Sequence, residues 1–190
     1  TNEATIAVGG NVTADSVTVE AVMRDVSGDT EHDFKASSTS GASGSDTGVA
    51  GSFALNVSQT MTDAAVKGSG GTGGIVDAGT GAVLVKAINT TDSQVEAKAS
   101  ATAGNLGVGV SFAINVVDNQ TLSEVEDGST LTGGSDVTLS ATGSHETTTT
   151  AASGGKAKDG TGVGGSFAIT VADNVTLAQL GPGPGLNIGG

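Results

Sequence analysis

One phrase returns three times along this chain with little change: Gly51-Ser52-Phe53-Ala54-Leu55-Asn56-Val57, Val110-Ser111-Phe112-Ala113-Ile114-Asn115-Val116 and Gly165-Ser166-Phe167-Ala168-Ile169-Thr170-Val171. The Phe-to-Phe intervals, 53 to 112 and 112 to 167, are 59 and 55 residues. Self-similarity at such a period marks an array of units that bury their apolar surfaces against one another. The units run over approximately 10–66, 79–128 and 133–180, and the Gly/Pro-rich stretch 181–190 reads as a linker or bridging segment.

Within each phrase the apolar residues alternate. Phe53, Leu55 and Val57 face one way and Ser52, Ala54 and Asn56 the other; in the second unit the alternation begins at Val108. Period 2 over this length is a half-buried β-strand, because successive side chains leave opposite faces of the pleat. The large residues are expected inside, making Phe53, Phe112 and Phe167 a core column repeated along the axis at multiples of about 4.8 Å. Their small partners suit a face that is crowded or only lightly exposed.

Two further elements recur. A Val strand (Val17 to Ala21, Val83 to Ala87, Val137 to Ala141) follows a turn-rich lead-in, and a short strand (Gln59 to Met61, Gln120 to Leu122, Val175 to Leu177) follows each Phe strand. Between Val and Phe strands lies a Ser/Thr/Ala stretch ending in glycine. The runs Gly41 to Gly48, Gly68 to Gly74 and Gly154 to Gly162 are expected to protrude as mobile loops. No window carries a helical apolar period. With 2% aromatic residues and neither Trp nor Tyr, a core built on large aromatic burial is excluded. A β-solenoid needs no such core, since each coil is held by its neighbours. The expected fold is therefore an all-β, parallel β-solenoid (β-helix) of three repeats; the alternative is a tandem of small β-sandwiches, for which about 57 residues per unit is short.

A net charge of −13 and a pI near 4.1 disfavour nucleic acid and anionic bilayers as partners. No run of 18 apolar residues is present to insert in a membrane. Thr1-Asn2-Glu3 has neither a basic nor an apolar leader region, so the chain reads as a mature or excised segment. The absence of cysteine excludes a disulfide scaffold and thiolate metal sites. Acidic, Cys-free, Gly/Thr/Ser-rich composition is common among secreted bacterial repeat proteins, which points to an extracellular or cell-surface location.

The order Gly-Gly-x-Asp-Val-Thr-Leu-x-Ala from Gly133, then polar residues, then Gly-Val-Gly-x-Ser-Phe-Ala-Ile-x-Val-x-Asp-Asn-x-Thr from Gly162, resembles the repeat regions of very large bacterial secreted and cell-surface β-strand-repeat proteins, similar to filamentous-haemagglutinin-type adhesins. The resemblance runs from Gly10 to Leu180. It implies a right-handed parallel β-solenoid within a far longer parent, used as stalk, fibre or adhesive surface, and brings no catalytic residue with it.

Candidate chemistry is sparse. Gly160 to Gly165 matches G-x-G-x-x-G, but it leads into a strand where a dinucleotide site needs a helix. His32 lies four residues before Ala36 and His145 seven before Ala152, so the two read as solvated residues at different places in the unit. Asp118-Asn119 and Asp173-Asn174 align after their Phe strands, where the first unit has Ser58-Gln59. A strand-ending turn is the default there. A calcium site built from these four residues, with a carboxylate such as Asp63 or Glu124 from a neighbouring coil, is the alternative, and no other cofactor is implied. Thr147 to Thr150 suggests ice or surface binding, yet Asp33-Phe34-Lys35 and Val95-Glu96-Ala97 stand in the equivalent stretches. Five glycosylation sequons begin at Asn11, Asn56, Asn89, Asn119 and Asn174.

The function expected is a non-enzymatic structural or adhesive repeat segment. Its partners are further copies, neighbouring repeats of a longer chain, or surface carbohydrate, because strand edges at both ends lack an obvious cap. A carbohydrate-binding or carbohydrate-active solenoid is the competing reading. The two separate on whether a strand face gathers two carboxylates and a basic residue within about 10 Å.

Overall fold

Alternation of Val, Thr, Ser and Ala extends much further than the recurring motifs. In the computed structural model, which describes residues 1–189, strands of about twenty residues replace the expected strand, polar segment, loop and short strand. In chain order these are β1 (Asn2–Ile6), β2 (Asn11–Thr13), β3 (Val17–Ala21), β4 (His32–Gly44), β5 (Thr47–Val66), β6 (Gly68–Ser69), β7 (Thr72–Gly73), β8 (Ile75–Asp77), β9 (Val83–Ala103), β10 (Leu106–Val125), β11 (Thr130–Thr132), β12 (Val137–Ala157), β13 (Thr161–Leu180) and β14 (Gly185–Asn187). No helix occurs among the described residues.

The strands stack into three parallel sheets, and the molecule is a parallel β-solenoid. Sheet I has the order β1-β5-β10-β13; sheet II places β12 on one side of β9 and both β3 and β4 on the other; narrow sheet III runs β14-β11-β8-β2. One coil is a long strand of sheet II, a tight turn, a long strand of sheet I and a short strand of sheet III. Each repeat is one coil. Register is kept over the whole of β10, from Leu106 opposite Thr161 to Val125 opposite Leu180. Phe53, Phe112 and Phe167 are therefore neighbours in a single sheet, whereas tandem sandwiches would have put them in three cores. Within the segment read as a linker or bridging stretch lies β14, where Leu186 sits opposite Leu131.

The repeat alignment holds, but the expected face is inverted. Phe53, Phe112 and Phe167 point to solvent with 57%, 40% and 57% of their surface exposed, while Ser52, Ala54, Ser111 and Ala113 are buried. The reason is the thinness of the interior. Sheets I and II converge away from sheet III, and the inward side chains shrink with the gap. At the wide end Val66, Val76, Val83, Val85, Val125 and Leu131 form the main core. A polar waist follows, with Asn89, Thr91, Ser93, Asn115 and Asn119 buried. Beyond it Ala97, Ala99, Ala101 and Ala113 fill the space.

At the narrow end only glycine fits. A Cβ on Gly107 would lie 2.4 Å from the Lys156 carbonyl oxygen, and one on Gly109 2.6 Å from that of Gly154. Most glycines expected in loops thus lie inside strands: Gly41 and Gly44 belong to β4, Gly48 to β5, and Gly154 and Gly155 to β12. Only Gly68 to Gly73 forms a projecting hairpin, in which Gly70 (φ 58) and Gly71 (φ 86) take the two left-handed positions of its turn.

The waist satisfies most of its polar groups internally, as buried amides require, with Asn89 Oδ1 left without a partner. Asn56 Nδ2 donates to Asn115 Oδ1 (2.9 Å) and to Ser93 Oγ (2.9 Å); Asn115 Nδ2 donates to the Ser93 carbonyl (3.1 Å). Across the gap Ser111 Oγ donates to the Ala152 carbonyl at 2.7 Å and Ser123 Oγ to that of Val85 at 2.8 Å. At the wide end Lys67 Nζ reaches Asp63 (2.6 Å) and Glu126 (3.0 Å), linking the first coil to the second. Burial would lower the Lys67 ammonium, but the bonds to both carboxylates outweigh it and hold it above the ordinary lysine range. Burial likewise raises Glu126, and the Gly68 N–H together with Lys67 overcomes this, leaving the carboxyl below its usual range.

Candidate functional site

The inversion places the largest side chains of the repeat on the outer face of sheet I. Outward columns run coil to coil: Val49-Val108-Val163, Gly51-Val110-Gly165, Phe53-Phe112-Phe167, Leu55-Ile114-Ile169 and Val57-Val116-Val171. The Phe112 and Phe167 rings stack with centroids 5.1 Å apart and planes 8° from parallel. Their faces cover each other and their edges meet solvent. Past Val116 the same outward face becomes mixed: Asp118, Gln120 and Glu124, with Asp173 beside Asp118, share it with Leu122, Val175 and Leu177. Gln59 donates to Asp118 at 2.8 Å and Gln179 to Glu124 at 2.6 Å.

Of the residues considered for calcium, Asp118 and Asp173 stand side by side on the outer face, but the rest do not join them. Asp118-Asn119 and Asp173-Asn174 lie in mid-strand, not in turns, so adjacent residues leave opposite faces. Asp118 is outside, while Asn119 is inside, accepting from Thr60 Oγ1 (2.7 Å) and donating to Asn174 Oδ1 (2.8 Å). Asp63 is engaged by Lys67 and Glu124 by Gln179. Among the described residues no group of three or more His, Cys, Asp or Glu is arranged to hold a metal ion.

The histidines occupy the same place in the unit, contrary to expectation. His32 and His145 both stand opposite Thr91, one on each side. Thr91 Oγ1 and His145 Nδ1 are 2.9 Å apart, and His145 Nε2 is buried without a partner. Burial lowers both imidazoles below the ordinary histidine range, and the N-terminal charge lowers His32 further. Counting from Ala36 and Ala152 misplaced them because Ala36 pairs with Val95, and Val95 with Thr149, not with Ala152.

Sheet II carries what the sequence concealed. Asp33, Asp92 and Glu146 are register partners on its outer face, one strand apart at about 4.8 Å. Lys35 Nζ is 3.2 Å from Asp33, and nearby Lys98 pairs with Glu96 at 2.5 Å. Glu31 is raised by burial first and then by Asp33 and Asp92. A shallow open depression alongside is lined by Lys35, Gln94, Glu96, Thr148 and Thr150. Thr148 and Thr150 stand opposite Gln94 and Glu96, so no threonine ladder forms there. The recurrence at 33, 92 and 146 was the available signal, and it is visible only once the strands are aligned.

Of the sequon asparagines, Asn89 and Asn119 are buried, and Asn56 and Asn174 are hydrogen-bonded within the interior ladder; Asn11 is exposed. No family model matches the chain, and no curated protein or solved structure matches it either.

Proposed function

We propose that this chain is a non-enzymatic structural segment of an extracellular or cell-surface β-solenoid, of the kind the filamentous-haemagglutinin-type adhesins use, serving as stalk, fibre or adhesive surface. The observation that carries this reading is the unbroken coil-on-coil register of β5, β10 and β13, in which backbone ladders and side-chain columns both continue along the axis. Such a structure is extended by adding coils and has the same outer faces at every level. In the third coil the inward Ala168 and Ala172 are exposed, whereas Ala113 and Val117 of the second are buried. A further coil, or another copy, covers that surface. Immuno-electron microscopy of the native protein on its cells tests the reading: filaments or stalks at the surface are expected, and a compact particle inside the cell refutes it.

A second reading is favoured by the Asp33-Asp92-Glu146 column with Lys35. Side chains on strands about 4.8 Å apart can bring carboxyl groups to the separation of about 5–5.5 Å that retaining glycoside hydrolysis uses. Release of reducing ends from neutral or acidic polysaccharides, abolished by Asp92→Asn, establishes this chemistry; no release from any of them removes it.

A further inference from the structure

The two broad outer faces are built from the same alternating strands and differ sharply. Sheet II presents Lys35, Glu96, Lys98 and Thr148 to solvent, while sheet I presents valine, phenylalanine and isoleucine. Nine residues along each strand and three strands across give an apolar area of about 30 Å by about 14 Å, near 400 Å² in projection. That is at the level of the largest apolar patches on ordinary monomers, which commonly mark interaction sites.

We propose that this face pairs with the same face of a second copy of the chain, the two solenoids lying side by side and related by a two-fold axis parallel to the solenoid axis. The proposal rests on the structural reading above and names the lateral partner. Charge selects the axis. Each outward face carries Asp118, Asp173 and Glu124 on the half beyond Val116. A two-fold along the strands would lay these carboxylates on one another. A two-fold along the solenoid axis reverses the strands, superposes the apolar halves about the Phe column, and sends the acidic halves to opposite sides. It also keeps each coil level with its counterpart. Position 118 then falls over position 106, since the two are equally far from Phe112. In the third coil Asp173 of the second copy falls over Thr161, at the edge where Lys158 stands in the turn before β13 with no ion pair among the described residues. Identical flat faces with rows at the same spacing pack at the usual sheet separation of about 10 Å.

Area sets the strength. About 400 Å² per copy is roughly half of a standard interface, so three coils associate weakly, and each added coil enlarges the contact by the same increment. Salt favours the pair by screening the charge of −13 on each copy.

The chain has no cysteine, so a single introduced thiol is a unique label. Sedimentation equilibrium of the whole 190-residue protein up to about 1 mM is expected to show a monomer–dimer equilibrium that tightens with salt and is lost in Ile114→Lys. A bis-maleimide spanning about 10 Å should link Phe112→Cys, which lies near the axis, into dimers. It should not link Asp118→Cys, whose two copies stand about 40 Å apart, nor Thr148→Cys on the opposite sheet. Circular dichroism establishes that each variant is folded. Linking through Asp118→Cys overturns the axis, and linking through Thr148→Cys overturns the face. A dimer in which Phe112→Cys stays unlinked is an end-to-end stack and overturns lateral pairing. A strict monomer that still melts as a β-protein also overturns it, and leaves the structural reading standing.

Discussion

Gly107→Ala tests whether glycine is present at the narrow end because the two sheets touch. The added methyl carbon would stand 2.4 Å from the Lys156 carbonyl oxygen and 2.9 Å from the Lys156 nitrogen, against 3.4–4 Å for ordinary contact. Both obstacles are backbone, so no rotamer change relieves them. Sheets I and II must part by about 1 Å, loosening the alanine layer behind. Overpacking of this kind costs about 1–3 kcal/mol, and with no flexible neighbour the upper end applies. For a chain of this size about 3 kcal/mol lowers the melting midpoint by roughly 6–12 °C. The control is Gly51→Ala, on the outer face of the same sheet, where a Cβ meets nothing within 4 Å. It should be neutral or stabilise by up to about 1 kcal/mol through the unfolded chain. Thermal melts followed by circular dichroism compare the two. A midpoint for Gly107→Ala within a degree or two of the parent, or an equal loss in both variants, would falsify the contact argument.

Three other perturbations address the polar groups. Asn115→Ala removes acceptor and donor from Asn56 and Ser93 at once and should cost at least about 1–3 kcal/mol, measured by urea unfolding; a neutral result means water replaces the amide. Lys67→Met strands the buried Asp63 carboxylate and should cost about 3–5 kcal/mol at neutral pH. Because the Glu126 pKa is depressed on folding, its stabilisation is present above the unfolded value of about 4.3 and is lost as pH falls, so the gap between parent and Lys67→Met should narrow in acid. The lowered histidine values act in the same direction at higher pH. Below about 6.5 the unfolded chain binds protons that folded His145 resists, so stability falls with pH, and His145→Asn should flatten that slope between neutrality and about pH 5. An unchanged slope would place the imidazole in solvent.

The repeat and its strand class were legible because register survives in sequence: Phe53, Phe112 and Phe167 mark the same level of three coils, and alternation names the strand. Which face turned inward was not legible by the same rule. Large apolar residues go inside when there is room, and the room here is set by Gly107, Gly109 and Gly155 bringing two backbones together. Ser52, Ala54 and Ser111 were the clue, as residues suited to a crowded face. The short motifs also hid the strand lengths, since β9 carries on from Val83-Leu84-Val85 to Ala103 with a period-2 signal in its second half that rests on Val95 and four alanines and not on large apolar residues. The carboxylate column and the histidine pair needed alignment across β4, β9 and β12. There the ten residues 22–31 between β3 and β4 stand where β9 has only 88–90, a net insertion of seven that shifts the count.

Most length differences between coils lie in turns such as the β6–β7 hairpin. The exception is segment 22–31 with its Val26–Asp29 bridge, which is looped out of the sheet II strand of the first coil between β3 and β4, opposite the unbroken β9. Within the long strands nothing is gained or lost between Leu106–Val125 and Thr161–Leu180. A strand that slips by one residue exchanges its faces, turning phenylalanine into a gap sized for alanine and serine into solvent. Inheritance of such a gene is therefore quantised. Copying or deleting a complete coil returns an acceptable molecule of different length, turns tolerate insertions of any parity, and an insertion within a long strand survives only where it is looped out whole, as 22–31 is, so that both flanks keep their register. A lineage of these proteins should diverge first in coil number and turn length, while the interior sequence of serine, asparagine, alanine and glycine stays fixed by the taper of the two sheets.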